Sequence, residues 1–391
     1  MAAVDTVRLE RLQRMMEEAG LDVLVCRLPE NVTYITNYWP HHGVSVAVLF
    51  RDGRPALFVP EIEEEYTDVA WADVQTFGWL LLKDPDVYDS FRRVLGGIAA
   101  RLSLGSATIG IERNAEVVGP SYRSAEPIVP AAPWHAMLEE VFAGARLVDA
   151  TQLIEKARGI KTDYEIAKMR VAAEIAEMGM RHALANMQPG MTEAQIGALV
   201  EYKIRADGPG HEGARLVRPL AEVAAGANTV KATLLIPSTN YPTRLGDLVM
   251  IEMGVIVDGY WSDLTYMGVI GEPSQRQREI HNIVLEAQHA ATAAVRPGVL
   301  MSEPDRIARE VLLRAGLADY YPHITGHGIG LRYHEWTPLL MPGNDAPLEP
   351  GMVTSVEPGV YIPGFGGIRI EDNVVVGAEG PVLLSTPRKP W

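Results

Sequence analysis

The sequence predicts a two-domain α/β protein, a small α/β domain followed by a larger α+β domain, and three observations predict it. The chain of 391 residues is too long for one ordinary hydrophobic core. Strand-like and helical patterns alternate in its first part. From Asp163 onward the texture changes to long helices separated by strand-rich blocks. That change lies near residues 155–160, giving expected domains of residues 1–157 and 158–391.

Taken in order, an amphipathic helix is expected over roughly residues 5–19. The segments LDVLVC, NVTYITNY, VSVAVLF and RPALFVP then read as strands, with Asp52-Gly53 as a tight hairpin turn between the last two. DSFRRVLGGIAARL reads as a helix, ATIGIE as a strand, and the Pro- and Ala-rich SAEPIVPAAP as a surface loop. A long helix runs from Asp163 to Met187 and is ended by Gln188-Pro189-Gly190. Thr192 with Gln195 three residues on makes a capping box for the next helix. A third helical stretch, SQRQREIHNIVLEAQHAATAAV, lies between two strand-rich blocks, and the texture hints at a duplication without a clear sequence repeat.

Composition narrows the class. Apolar residues make 47% and charged residues 22%, the balance of a globular chain, and the longest apolar runs are strand-sized, too short to cross a membrane. The N-terminus lacks the apolar core of a signal peptide, so a cytoplasmic protein is expected. Cys26 is the only cysteine, which excludes an internal disulfide and a Cys-rich metal site; in an apolar strand it reads as buried. A net charge of −15 argues against a nucleic-acid partner.

The chemistry-bearing residues lie in the second half. Asp258-Gly259 is a two-residue hairpin turn, which sets Asp263 opposite Gly254 and leaves Glu252 diagonal to it on the same face. Two carboxylates can then converge on one cation; the alternative is that one of them points to solvent. In HITGHGIGLRYHE, His323, His327 and His334 are interleaved with Gly326, Gly328 and Gly330, which permit close backbone approach. The plain alternative is a Gly-rich loop with solvated histidines. Glu357 and Glu371 sit in apolar strand-like runs, and Arg369, on the face of Glu371, offers that residue an ordinary ion pair. Together four carboxylates and an imidazole match the formal charge of two divalent cations, which in such sites stand about 3.5–4 Å apart. Oxygen-rich ligands with one nitrogen favour manganese, iron or cobalt over a thiolate-type zinc site.

These residues resemble the pita-bread metallopeptidases of the M24 type, which include proline aminopeptidases, prolidases and methionine aminopeptidases. The likeness runs from about Gly159 to Val376, and HITGHGIGLRYHE, SVEPGVY and GIRIED are its specific segments. The N-terminal part resembles the creatinase-like domain of the proline-specific branch. The resemblance implies a pita-bread catalytic domain with a curved antiparallel sheet and two divalent metal ions, manganese first, with cobalt, iron or zinc as alternatives. It also implies a small peptide or amide substrate and a homodimer or larger assembly. By the same resemblance Glu252, Asp263, His327, Glu357 and Glu371 are metal ligands. His323 and His334 hold substrate and stabilise the tetrahedral intermediate, Arg369 organises the site, and Glu357 also carries protons. Three departures stand out: Glu252 replaces the family's Asp, GANTVKATLLIPSTNYPTRLGD lacks its histidine, and Tyr266 replaces its Arg. The rival readings are a metal-free creatinase-type amidinohydrolase, a metal-dependent hydrolase of a non-peptide amide, and a non-catalytic binding module.

The remaining histidines and tryptophans read as ordinary. His41 and His42 in NYWPHHG belong to a solvated loop, or to one reaching a neighbouring subunit's site; His211 is a similar case that could stand in for the missing histidine. Trp39, Trp261 and Trp336 read as packing residues rather than a pocket lining, and His281 and His289 as surface positions on their helix.

Overall fold

The computed structural model describes residues 4–79, 86–114, 132–231 and 237–391, which form two compact units meeting in sequence between Arg158 and Gly159. The first unit contains α1 (Thr6–Glu18), β1 (Val23–Cys26), α2 (Pro29–Thr36), β2 (Val46–Phe50), β3 (Ala56–Pro60) and β4 (Asp73–Phe77). It continues through α3 (Val87–Ala99), β5 (Thr108–Ile111), α4 (Ala132–Val141), β6 (Arg146–Asp149) and α5 (Thr151–Gly159). Its six strands make one mixed sheet in the order β4-β3-β2-β1-β5-β6, with the expected antiparallel β2–β3 hairpin around Asp52-Gly53. Cys26 is fully buried in β1. The surface-loop reading of SAEPIVPAAP lies, up to residue 131, outside the described residues.

One expectation fails here. NVTYITNY, read as a strand, forms α2 instead. Pro29 at the first helical turn sets the start, and Asn37 closes the helix in the left-handed conformation at φ 62°. The β-branched residues suggested a strand, yet every residue from Asn31 to Thr36 is buried, so burial on all sides overrides propensity. Glu112, just after β5, accepts hydrogen bonds from the Arg27 and Leu28 backbone N–H groups before the helix and from the Asn31 side chain, fixing where α2 begins.

The second unit opens with α6 (Asp163–Asn186) and α7 (Glu193–Asp207), each started by a capping box, Thr162 with Glu165 and Thr192 with Gln195. They pack on an antiparallel sheet of β7 (Val217–Ala225), β8 (Leu248–Val257) and β9 (Tyr260–Val269). Next come α8 (Gln275–Ala293), capped by Ser274 with Gln277, and α9 (Ser302–Arg314). These pack on a second sheet in the order β11-β10-β12-β15-β16. Its strands are β10 (Gly326–Gly328), β11 (Glu335–Leu340), β12 (Val353–Val356), β15 (Asp372–Gly377) and β16 (Gly380–Leu383), while β13 (Gly359–Ile362) and β14 (Gly366–Arg369) form a separate hairpin. The texture of a duplication is therefore visible as two helix pairs, each on an antiparallel sheet. A bridge from Thr265 to Glu371 joins β9 to the turn before β15.

Two further placements bear on the histidine and tryptophan readings. His289 is exposed as expected, but His281 is buried and stacks on Trp391 with ring centroids 4.0 Å apart. Burial lowers its pKa to about 4, so the ring is neutral. The helical spacing hid this because the C-terminal residue that covers His281 is distant in sequence. Trp261 is buried, whereas Trp336 is 41% exposed on β11. No helix among the described residues is long and apolar enough to cross a membrane.

Strand β10 passes so close to its neighbours that only glycine fits at its ends. A Cβ at Gly326 would lie 1.9 Å from the Ser355 carbonyl oxygen, and one at Gly328 would lie 2.2 Å from that of Thr337. Gly326→Ala is expected to destabilise the second unit by about 1–3 kcal/mol or more through overpacking. Gly197→Ala on α7, where the new carbon meets only ordinary contacts at 3.7 Å, should be neutral or slightly stabilising. Thermal unfolding of both variants checks this; equal midpoints would show that β10 has room to spare.

Candidate metal centre

The β8–β9 register places Gly254 opposite Asp263 and Glu252 opposite Thr265, with Asp258 and Gly259 both at positive φ in the turn. Glu252 and Asp263 therefore share a face, as the hairpin spacing predicts. They are 5% and 2% exposed, so neither carboxylate points to solvent. Strand β10 supplies His327, and the residues following β12 and β14 supply Glu357 and Glu371.

These side chains converge. Donor atoms of His327, Glu357 and Glu371 all lie within 4.8 Å of one another, and so do those of Asp263, His327 and His334. His327 Nε2 stands 3.4 Å from Asp263 Oδ2 and 3.4 Å from Glu357 Oε1. The other ring nitrogen, Nδ1, is 2.9 Å from the Gly328 carbonyl oxygen, a contact that only a protonated Nδ1 can use. In the neutral ring the Nε2 lone pair then points at two carboxylates. That arrangement is repulsive unless positive charge sits between them, as a proton or as a metal ion. Glu371 Oε1 is likewise buried with no hydrogen-bond partner among the described residues. Three carboxylates and an imidazole lone pair aimed into one pocket fit a divalent cation of oxygen-preferring character.

The shifted pKa values express the same crowding. Burial raises that of Glu371 well above 4.5, and the neighbouring Asp263 and Glu357 raise it further. Burial also drives Glu357 to about 7, opposed by His327 and helped by Asp263. For His327, burial works against the charged ring, but the carboxylates of Asp263 and Glu357 outweigh it and its pKa goes up. His323 is different: burial lowers its pKa, and its Nδ1 is 2.8 Å from the Ile324 carbonyl oxygen, so it is a neutral ring.

Hydroxyl groups lock the acidic residues in place. Ser355 Oγ donates to Glu357 at 3.0 Å and accepts from the His327 backbone N–H at 3.0 Å. Thr265 Oγ1 donates to Glu371 at 2.7 Å and accepts from Arg369 Nε at 3.1 Å. Asn373 exchanges two hydrogen bonds with the Asp263 backbone, at 2.9 and 2.7 Å. Tyr361 accepts from Arg369 at 3.2 Å and donates to His323 Nε2 at 2.9 Å. Tyr333 donates to Asp263 Oδ1 at 2.6 Å. The sequence reading passed over all five. Ser355 and Thr265 were accessible in principle, each lying two residues from a ligand on the same strand face; nothing local marks Tyr361 or Tyr333.

The expected residues are not all placed alike. Asp263, His327, Glu357 and Glu371 meet, and His334 joins from the Asp263 side. Glu252 stands in neither donor group, and its Oε2 accepts from the Arg369 guanidinium instead. The direct contact of Arg369 is thus with Glu252, while its strand neighbour Glu371 acts on it through charge alone. His323 lies outside both donor groups and connects to Arg369 through Tyr361. Tyr266 donates to Glu177 at 2.6 Å, and the Arg388 guanidinium lies 3.5 Å over its ring. His211 pairs with Glu174 at 3.1 Å, and His41 and His42 are exposed on a loop held by Glu63. In the segment lacking histidine, residues 232–236 lie outside the described ones.

Comparison with known proteins gives the following. Residues 167–378 match metallopeptidase family M24, and residues 8–160 match the creatinase/prolidase N-terminal domain. The chain is 32% identical over 379 residues to an Xaa-Pro dipeptidase of Lactobacillus helveticus, covering 96% of this chain and 95% of that one. It is 32% identical over 383 residues to an Xaa-Pro dipeptidase of Pyrococcus furiosus, covering 97% of both. The solved prolidase of Pyrococcus horikoshii OT3 superposes with a TM-score of 0.77 at 28% identity, covering 98% of this chain and 99% of that one.

The crowded carboxylates make a testable statement about stability. Glu357 titrates near 7 in the folded chain and near 4.5 when unconstrained, so the folded state keeps a proton that the unfolded state has released. Its favourable contribution is complete below about 4.5 and is lost as pH rises through about 7. Chelator-treated protein should therefore lose thermal stability from pH 5 to pH 8 more steeply than Glu357→Gln does. Saturating Mn²⁺ at about 100 times its Kd should raise wild-type stability by about 2.7 kcal/mol at pH 8. Parallel pH profiles for the two chelated proteins would refute this account of the site.

Proposed function

The chain belongs to metallopeptidase family M24, and on that premise we propose that it hydrolyses the C–N bond of small peptides, Xaa-Pro dipeptides foremost, with two divalent cations. The observation that carries this reading is the convergence of Asp263, His327, Glu357 and Glu371, with the His327 Nε2 lone pair directed at carboxylate oxygens. Both Xaa-Pro dipeptidase relatives span nearly the whole chain, which supports the substrate class. The creatinase-type and binding-module readings need no such donor set.

In the proposed site Asp263, His327, Glu357 and Glu371, with Glu252 beside them, would hold the cations. Such ions supply a water that ionises near neutrality and polarise the scissile carbonyl. Glu357 Oε1, fixed by Ser355, moves a proton between the attacking water and the leaving nitrogen. His334, beside Asp263 and His327, stabilises the developing oxyanion. His323 holds substrate together with Tyr361, and Arg369 fixes Glu252, Thr265 and Tyr361 relative to one another. Manganese is the proposed ion, on the oxygen-rich donor set. A homodimer and a cytoplasmic location are carried from the family resemblance and the composition.

Glu357→Gln should fold as the wild type does and lower turnover by about 10²–10⁴-fold, the usual weight of a positioned acid-base group. Near-full Mn-supported activity in that variant would remove Glu357 from the mechanism. A Mn-dependent screen of Xaa-Pro dipeptides, longer peptides and small amides tests the substrate. Hydrolysis of amides alone would overturn the dipeptidase reading.

A further inference from the structure

We propose that Arg309, on α9, is a positioning residue for His323: its guanidinium, set by Asp305, grips the backbone on which that imidazole is carried and so decides where the ring stands. The inference rests on the substrate-holding role proposed above for His323 and adds to it a residue outside the metal centre.

Residues 321–325 lead into β10 and lie in neither a helix nor a strand, so their backbone is anchored from outside. Arg309 supplies that anchor. Its Nη1 donates to the Tyr321 carbonyl oxygen at 3.2 Å, and its Nη2 donates to the His323 carbonyl oxygen at 2.6 Å. The guanidinium also lies 4.4 Å over the Tyr321 ring. Its own orientation comes from Asp305, one turn earlier on α9, which accepts from Nε at 2.7 Å and from Nη2 at 3.1 Å. Asp305 is 1% exposed, and a buried carboxylate of this kind demands a cation beside it.

The same carboxylate secures the far end of the segment. Thr325 Oγ1 donates to Asp305 Oδ1 at 2.9 Å and accepts from the Tyr321 hydroxyl at 2.6 Å. The Thr325 carbonyl oxygen in turn accepts the Glu357 backbone N–H at 2.8 Å. One ion pair thus holds residues 321–325 at both ends, with His323 between them. The ring itself meets the Tyr361 hydroxyl at 2.9 Å, a contact that a shift of the His323 backbone would break. Bonding a carboxylate and two carbonyls at once needs the planar fork of a guanidinium; an ammonium has the charge without the reach.

Arg309→Lys separates these properties. It keeps a cation against buried Asp305, which preserves the fold, and loses the fork. In the full chain freed of metal and labelled at histidine, the ring signal of His323 is identified by its loss in His323→Ala. That signal should move in Arg309→Lys and stay in place in Arg306→Lys, where the altered side chain pairs with exposed Glu303 and Glu310 on the same helix. With Mn²⁺ and an Xaa-Pro dipeptide, Arg309→Lys should raise KM about tenfold, the weight of one or two lost hydrogen bonds. The rise should vanish in a His323→Ala background, because a residue acting through His323 has nothing left to position. A general loosening of the fold would instead raise KM equally in both backgrounds. That result, or an unmoved His323 signal in Arg309→Lys, would overturn the inference. A wild type that cleaves no dipeptide would overturn the proposed function, and the ring signal would then decide the positioning by itself.

Discussion

Buried like charges must be neutralised, and the catalytic half of this chain is arranged around that requirement. Asp263, Glu357 and Glu371 are drawn into one low-dielectric pocket with an imidazole whose free lone pair adds to the negative potential. Two answers are available, protons or metal ions. The raised pKa values of Glu357 and Glu371 describe the first, and the geometry of the donors fits the second. Metal uptake must then release protons, so affinity and stability are both coupled to pH at this site.

Holding such a pocket open against its own repulsion takes a rigid frame. The donors come from different strands and turns, and each is fixed by a neighbour rather than by its own rotamer. Ser355 links His327 to Glu357, and Thr265 links Glu371 to Arg369. The glycines of β10 allow backbone carbonyls to approach within distances that any side chain would block, bringing His327 close to β12. Hydroxyls suit this task because each can donate to a carboxylate and accept from a second group at once.

The site was legible in the sequence to the extent that its geometry is local. The Asp258-Gly259 turn fixes the register of ten-residue strands on either side, so the common face of Glu252 and Asp263 follows from turn chemistry alone. The family resemblance pointed to His327, Glu357 and Glu371, which the fold brings together. What escaped was tertiary. Residues 31–36 carry strand-like side chains but are buried on all sides of a helix, and His281 looks like a surface residue until Trp391 returns to cover it. Which acid Arg369 touches could not be read either, since both Glu252 and Glu371 feel its charge or contact and only the packing selects the contact.

The three departures from the family pattern differ in kind. At position 266 the guanidinium that the family resemblance leads one to expect is matched by another, because Arg388 lies over the Tyr266 ring, pairs in charge with Asp372 at 2.8 Å and hydrogen-bonds Glu177 at 3.3 Å. A cation is therefore kept beside these buried acids, delivered from the C-terminal segment instead of from β9. At position 252 the carboxylate is kept and engaged by Arg369, so the charge there is unchanged. The third is the absence of a histidine from residues 226–247, and His211, tied to Glu174, is engaged elsewhere. Two of the three positions thus keep opposite charges paired among buried side chains, the requirement on which the pocket depends.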